Sequence, residues 1–161
     1  MLELKVLGVS QPNEHPYPVV LLQHESRILP ILVGLAEASA IQLGLTKEKT
    51  LRPMTHDLVC NLLAGLRANL QSITIYRLEK DTFYAHLNVE QLNGQGHVEQ
   101  VLRIDSRPSD AIAVAIRMEC PIFVAEEVMD VAAQDASIFS SDGELEGEGE
   151  DFEGDSNEDE F

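Results

Sequence analysis

Leucine and valine alternate with Glu3 and Lys5 over residues 2–9, the period-two pattern of a strand with one buried face. The polar, proline-containing stretch at 10–18 reads as a loop. Two apolar runs follow, 19–23 and 27–33, and His24-Glu25-Ser26 between them predicts a hairpin. Pro30 in the second run has no N–H to give a ladder, so that arm belongs at an edge or a bulge. From Gly34 the period lengthens, and Leu35, Ala38, Ile41, Gln42 and Leu45 mark a helix ending near Gly44-Leu45. After a basic connector at 47–53, Thr55 is placed to cap a second helix. His56 and Asp57 fall in its first turn, and Leu58, Cys60, Leu62, Leu63, Leu66 and Leu70 are expected on its buried side.

The second half repeats these signals. Residues 72–78 are β-branched and alternating, Lys80-Asp81 marks a turn, and 82–90 form a second arm with Phe83, Ala85, Leu87 and Val89 on one side. Past Asn93-Gly94-Gln95-Gly96, residues 99–105 read as a strand. Pro108 then opens a helix over 109–118, with Asp110 complementing its dipole. A short strand at 121–124 and a small helix at 126–133 complete the pattern. A shift of 73 positions sets Leu29 on Leu102, Ile31 on Ile104, Ala38 on Ala111 and Ala40 on Ala113, and pairs Glu37 with Asp110. The pattern therefore predicts an α+β fold. A duplicated strand-strand-strand-helix unit would form a curved, mostly antiparallel, barrel-like sheet with helices packed outside.

Charge divides the chain. The 161 residues carry 28 Asp+Glu against 11 Lys+Arg, yet every Lys and Arg lies at or before Arg117 and 11 of the acids fall between Asp142 and Glu160. Beyond Ser140 the only large apolar residues are Leu145, Phe152 and Phe161, too few to offset the entropy of ordering. The expected organisation is a domain over 1–135 and a disordered acidic tail over 136–161. Taking the tail's charge away leaves the body mildly acidic, so a local basic groove for nucleic acid is not excluded. Cys60 and Cys120 are too few for a disulfide framework and lack partners at zinc spacing. No stretch is apolar for the length of a membrane span, and the N-terminus lacks a leader pattern, which together lead to a cytoplasmic expectation with no membrane partner.

Two segments concentrate polar groups at helix entrances: Arg52-Pro53-Met54-Thr55-His56-Asp57 and Asp105-Ser106-Arg107-Pro108-Ser109-Asp110. Each has an Arg-Pro pair, then a hydroxyl residue, then an acid in the first turn, where free backbone N–H groups can hold an anion. One reading is a phosphate site: Arg52 and Arg107 neutralise oxygens, His56 moves a proton, and Asp57 or Asp110 orients it or holds a divalent ion. The other is helix capping with Arg–carboxylate bridges. His15, His24, His86 and His97 lack acid or thiol neighbours at ligand spacing and read as surface residues. Tyr76, Phe83 and Tyr84, with Arg77 and Lys80, fit either cross-strand aromatic packing or a stacking platform for bases.

The run Arg52 to Leu58, the hairpin Ile75 to Ala85, the segment Asp105 to Ala115 and the following Pro121 to Val128 together resemble the bifunctional nuclease family. The likeness runs in order over about residues 1 to 133. It implies cleavage of both DNA and RNA, a wedge-shaped homodimer or higher homo-oligomer, and an active-site groove. Carried over by position, the family's polar signature falls on Arg52, Thr55, His56, Asp57, Asp105, Arg107, Ser109, Asp110, Glu126 and Glu127. On that basis His56, Asp57 and Asp110 are the candidate catalytic residues, and Arg52, Thr55, Arg107 and Ser109 the candidate phosphate ligands. Asp57, Asp110, Glu126 and Glu127 are candidate ligands for Mg²⁺ or another divalent cation. A different class also fits the residues: a non-catalytic oligomeric binding or regulatory module in which the same groups are structural.

Overall fold

The computed structural model describes residues 1–11 and 16–140. His15 and all of the expected tail beyond Ser140 lie outside the described residues. Along the chain run β1 (Leu2–Ser10), β2 (Val19–His24), β3 (Arg27–Leu32), α1 (Leu35–Thr46), α2 (Thr55–Gly65), β4 (Ala68–Glu79), β5 (Thr82–Leu92), β6 (Val98–Ser106), α3 (Pro108–Met118), β7 (Ile122–Val124), α4 (Glu126–Ala132), β8 (Gln134–Asp135) and α5 (Ala136–Ser140). The last of these falls where composition alone had the tail begin.

The strands make one sheet in the order β6-β5-β4-β7-β1-β2-β3-β8. Each neighbouring pair is antiparallel except β4 and β7, which run parallel. The duplicated unit is visible: β1-β2-β3-α1 and β4-β5-β6-α3 each consist of a meander followed by a helix. Strand β7 joins the two meanders, pairing Val124 with Leu2 on one side and Ile122 with Ile73 on the other. Because the inner strands meet through β7, β6 and β8 are left at opposite ends and the sheet stays open rather than closing into a barrel.

Turn chemistry agrees with the sequence. Lys80 and Asp81 both take positive φ (48° and 61°), the left-handed two-residue loop whose twist matches the strands it joins. Pro30 pairs with Leu21 on β2, while β8 reaches only Arg27 and Ile28, so the missing N–H faces an open edge.

One face of the sheet packs against the helices around α3. Ala111, Ile112, Ala113, Val114 and Ala115 are all buried there, alongside Ile41 of α1, Leu63 of α2, and Ile73, Ile75, Leu87 and Val89 of the sheet. A methyl group on Gly44 would come within 3.1 Å of Ile116 Cγ2, so α1 and α3 approach closely at that point. Small residues here let two helices share one neighbour.

With Leu70 buried on β4 and not on the helix, which ends at Gly65, α2 departs from expectation in three ways. Its N-cap is Met54, not Thr55, and its start is closed by Asp57 Oδ2 accepting the Met54 N–H at 2.9 Å. Its leucines also divide: only Leu63 is buried within the helix, whereas Met54, Leu58, Leu62 and Leu66 are 49 to 62% exposed. A spacing of four keeps those four on one face. A short leucine-rich helix has two apolar sides, and α3 with β4 covers only one.

Candidate functional site

The polar cluster is built where the two repeats bring equivalent helix starts together. Arg107 is the extended N-cap of α3 and Pro108 sets its first residue, which places Asp110 in the first turn. Gly34 is the extended N-cap of α1 and places Glu37 at the matching position. A side chain on Gly34 would collide with the Glu37 carboxylate, so the absence of one lets Glu37 fold over its own helix start.

Both acids converge on Arg107. Its Nε donates to Asp110 Oδ2 at 2.6 Å, Nη2 donates to Asp110 Oδ1 at 3.0 Å, and Nη1 donates to Glu37 Oε1 at 2.9 Å. This two-pronged fork fixes the carboxylate in plane and orientation. Asp110 Oδ1 also meets His56 Nε2 at 2.9 Å, so α2 and α3 meet on one carboxylate and α1 joins them through Arg107. Exposure rises along the chain of contacts: the side chains of His56, Asp110 and Arg107 are 13%, 32% and 64% exposed.

Burial pushes the Asp110 carboxyl up, but hydrogen bonds from Arg107 and His56, with their charges, outweigh it and hold the group below the ordinary carboxylate value. The hydrogen bonds from Arg107 to Asp110 and then to Glu37 in turn bind its proton more firmly. An ionised Asp110 only accepts, so Nε2 of His56 is the donor, and in the neutral form of the ring Nδ1 is left as an acceptor. The Arg107 and His56 donors sit on the same oxygen at 3.0 and 2.9 Å, so they lie within about 6 Å of each other.

A cleft of about 330 Å³ opens beside Arg107, lined by Gly34, Glu37, Thr82, Phe83 and Ser109 among others. Neither His56 nor Asp110 lines it; both connect to it through Arg107. Ser109 is buried at the start of α3.

The other expected site residues go elsewhere. Asp57 turns to Arg117, whose Nε donates to Oδ1 at 2.8 Å while Nη1 donates to the Ala113 carbonyl at 2.8 Å. The Met54 amide, followed by Arg117, lowers the Asp57 carboxyl below its ordinary value. Arg52 and Thr55 are exposed, and their side chains make no hydrogen bond or ion pair to His56, Asp110, Arg107 or Glu37. Asp105 is exposed on β6 opposite His86. Glu126 and Glu127 are exposed in the first turn of α4. The four carboxylates named as metal ligands thus sit on three helices, and among the described residues no three His, Cys, Asp or Glu side chains converge to hold an ion. Glu37 was missed as a site residue, though the repeat had already set it opposite Asp110.

Residues 19–137 match the bifunctional nuclease domain, and they contain every member of the His56–Asp110–Arg107–Glu37 chain. The chain belongs to this family. An uncharacterized protein of Mycobacterium tuberculosis is 36% identical over 131 residues, covering 80% of this chain and 74% of that protein. Bifunctional nuclease 1 of Arabidopsis thaliana is 24% identical over 120 residues, or 73% of this chain and 36% of the plant protein. Bifunctional nuclease 1 of Oryza sativa subsp. japonica is 24% identical over 116 residues, 70% of this chain and 34% of the rice protein. The matched stretch therefore spans only about a third of each of these plant nucleases.

Proposed function

We propose that this bifunctional nuclease-family domain hydrolyses phosphodiester bonds in DNA and RNA at the His56–Asp110–Arg107 cluster. The observation that carries this reading is the sharing of one carboxylate: Asp110 orients His56 through Oδ1 and Arg107 through both oxygens. A phosphodiester would meet the exposed side of Arg107, while His56, held through Nε2 by the same Asp110, keeps Nδ1 as its acceptor. Nδ1 takes a proton from water as the water oxygen bonds to phosphorus, the P–O bond to the leaving nucleoside breaks, and the leaving oxygen regains a proton from the imidazolium or solvent. Arg107 stabilises the charge that builds on the phosphoryl oxygens, and the first-turn amides of α3 add to it. Glu37 competes with the phosphate for Arg107.

The test is cleavage of single-stranded and duplex DNA and RNA by the purified chain beside His56→Ala and Asp110→Asn, in Mg²⁺ and in EDTA. His56→Ala is expected to lose about 100-fold or more in rate. Equal residual activity in all three proteins assigns the cleavage to a contaminant and leaves the same ion pairs as a structural network. The EDTA arm decides whether a divalent ion contributes.

The outward apolar stripe of α2, Met54, Leu58, Leu62 and Leu66, supports self-association as a homodimer. Free Cys60 and Cys120 suit a reducing, cytoplasmic setting. No helix among the described residues is long and apolar enough to cross a membrane.

A further inference from the structure

The face of β4, β5 and β6 turned away from α3 carries side chains that the His56 cluster does not use. Register sets Thr74 beside His86, Ser72 beside Asn88, and Asn88 beside Arg103. The β4–β5 ladder slips between Ile75 and Arg77, so Tyr76 and Arg77 together stand opposite Tyr84. This bulge gathers the rings. Tyr76 lies 6.3 Å from Tyr84 and 5.0 Å from His86, centroid to centroid, and both pairs are tilted. The Arg77 guanidinium sits 4.2 Å from the Tyr84 centroid.

An open hollow of about 550 Å³ adjoins these rings, bounded by Met1, Thr74, Tyr76, His86, Asn88 and Arg103. Its floor is polar and held in place: Asn88 Nδ2 donates to Ser72 Oγ at 2.9 Å and to Thr74 Oγ1 at 3.1 Å. Burial, then the charge of Arg103, lowers the His86 imidazole below its ordinary value, which favours a neutral ring. Arg103 is exposed and has no ion-pair partner among the described residues.

We propose that this face is a binding platform for single-stranded nucleic acid, with bases stacking on Tyr76, Tyr84 and His86 and phosphates meeting Arg77 and Arg103. The chemistry favours a single strand over a duplex, because only unpaired bases offer their ring faces to aromatic side chains on a sheet. Arg103, with no ion-pair partner among the described residues, supplies complementary charge in an otherwise acidic body, and Arg77 adds to it where phosphate displaces Glu79, which it meets at 3.3 Å. Strand β6 carries Arg103 and ends at Ser106, and Arg107 follows at the helix start, about 13 Å from Arg103 at the rise of an extended strand. A bound strand a few nucleotides long spans that distance, rounding the end of β6 from the platform face to the α3 side. This inference rests on the nuclease reading for its biological sense, and its binding test stands apart from cleavage.

The test is fluorescence anisotropy in EDTA with the full chain, using short labelled oligo-dT and oligo-U strands and a duplex of matching length. Tyr76→Ala and Tyr84→Ala are each expected to weaken single-strand binding about tenfold, with Tyr76→Phe within about threefold of wild type. Arg103→Gln should weaken binding and flatten the salt dependence by about 0.7 in the log–log slope. Circular dichroism and thermal melting confirm that each variant is folded, and Tyr76→Phe keeps the test valid if an alanine variant is not. Absence of single-strand binding by the wild type, or wild-type affinity in folded Tyr76→Ala and Tyr84→Ala, overturns the platform whatever the cleavage assay shows. Loss of binding in those variants beside a chain that cleaves nothing leaves the platform standing and removes the nuclease reading. Oligo-dT and oligo-U bound alike place recognition in bases and phosphates, and a strong preference for oligo-U adds the 2′-hydroxyl.

Discussion

Asp57 and Asp110 have the same sequence signature, an acid in the first turn of a helix that follows an Arg-Pro pair, but the fold gives them different neighbours. Asp110 is shared between His56 and Arg107, whereas Asp57 ties α2 to Arg117, whose side chain is only 11% exposed. Asp57→Ala is therefore expected to cost about 1–3 kcal/mol, read by urea melting, since it leaves a largely buried guanidinium short of a partner. Both carboxyls have folded-state values below the ordinary one. Such groups contribute their full stability above the unfolded carboxylate value near 4 and lose it as pH falls through the lower folded values. Melts at falling pH should show stability declining below about pH 4, with a shallower decline in Asp57→Asn; identical acid limbs would remove Asp57 as a contributor. His56 was legible as a chemical candidate because it stands alone beside helix-start acids. Which of the two acids it meets was not, because Asp57 is its neighbour in sequence and Asp110 lies 54 positions away.

At the scale of elements, the strand periods, the Lys80-Asp81 turn, the Pro108 helix start and the repeat were all readable, because each depends on local backbone preference and a period set by geometry. The burial of α2 was not readable, because its leucines satisfy two faces and only the packing partner selects one. This predicts a sharp contrast within one helix. Leu63→Ala, buried against the core, should cost about 2–5 kcal/mol. The double substitution Leu58→Glu with Leu62→Glu should leave thermal stability almost unchanged and shift the chain to a smaller species in sedimentation or light scattering. An unchanged mass would move any self-association away from this stripe.

For the whole molecule, the formal charge of −17 conceals a division: 11 acids fall between Asp142 and Glu160, beyond every Lys and Arg. Removing Asp142 to Phe161 is expected to raise affinity for nucleic acid at low salt and to lose that gain at high salt, since the removed charge competes with phosphate only while it is unscreened. Unchanged binding at both salts would make the segment a solubility device. The sequence by itself determined the α+β class, the order of elements from β1 to α4, the duplicated unit and the short set of polar residues worth considering, because propensity, period and turn chemistry act between near neighbours. Only the tertiary structure decided that β7 joins two open meanders, that Glu37 and Asp110 meet on one arginine, and that Tyr76, Tyr84 and His86 share a face with Arg103. Those are contacts between residues far apart in the chain, set by how α3 packs and how the strands register.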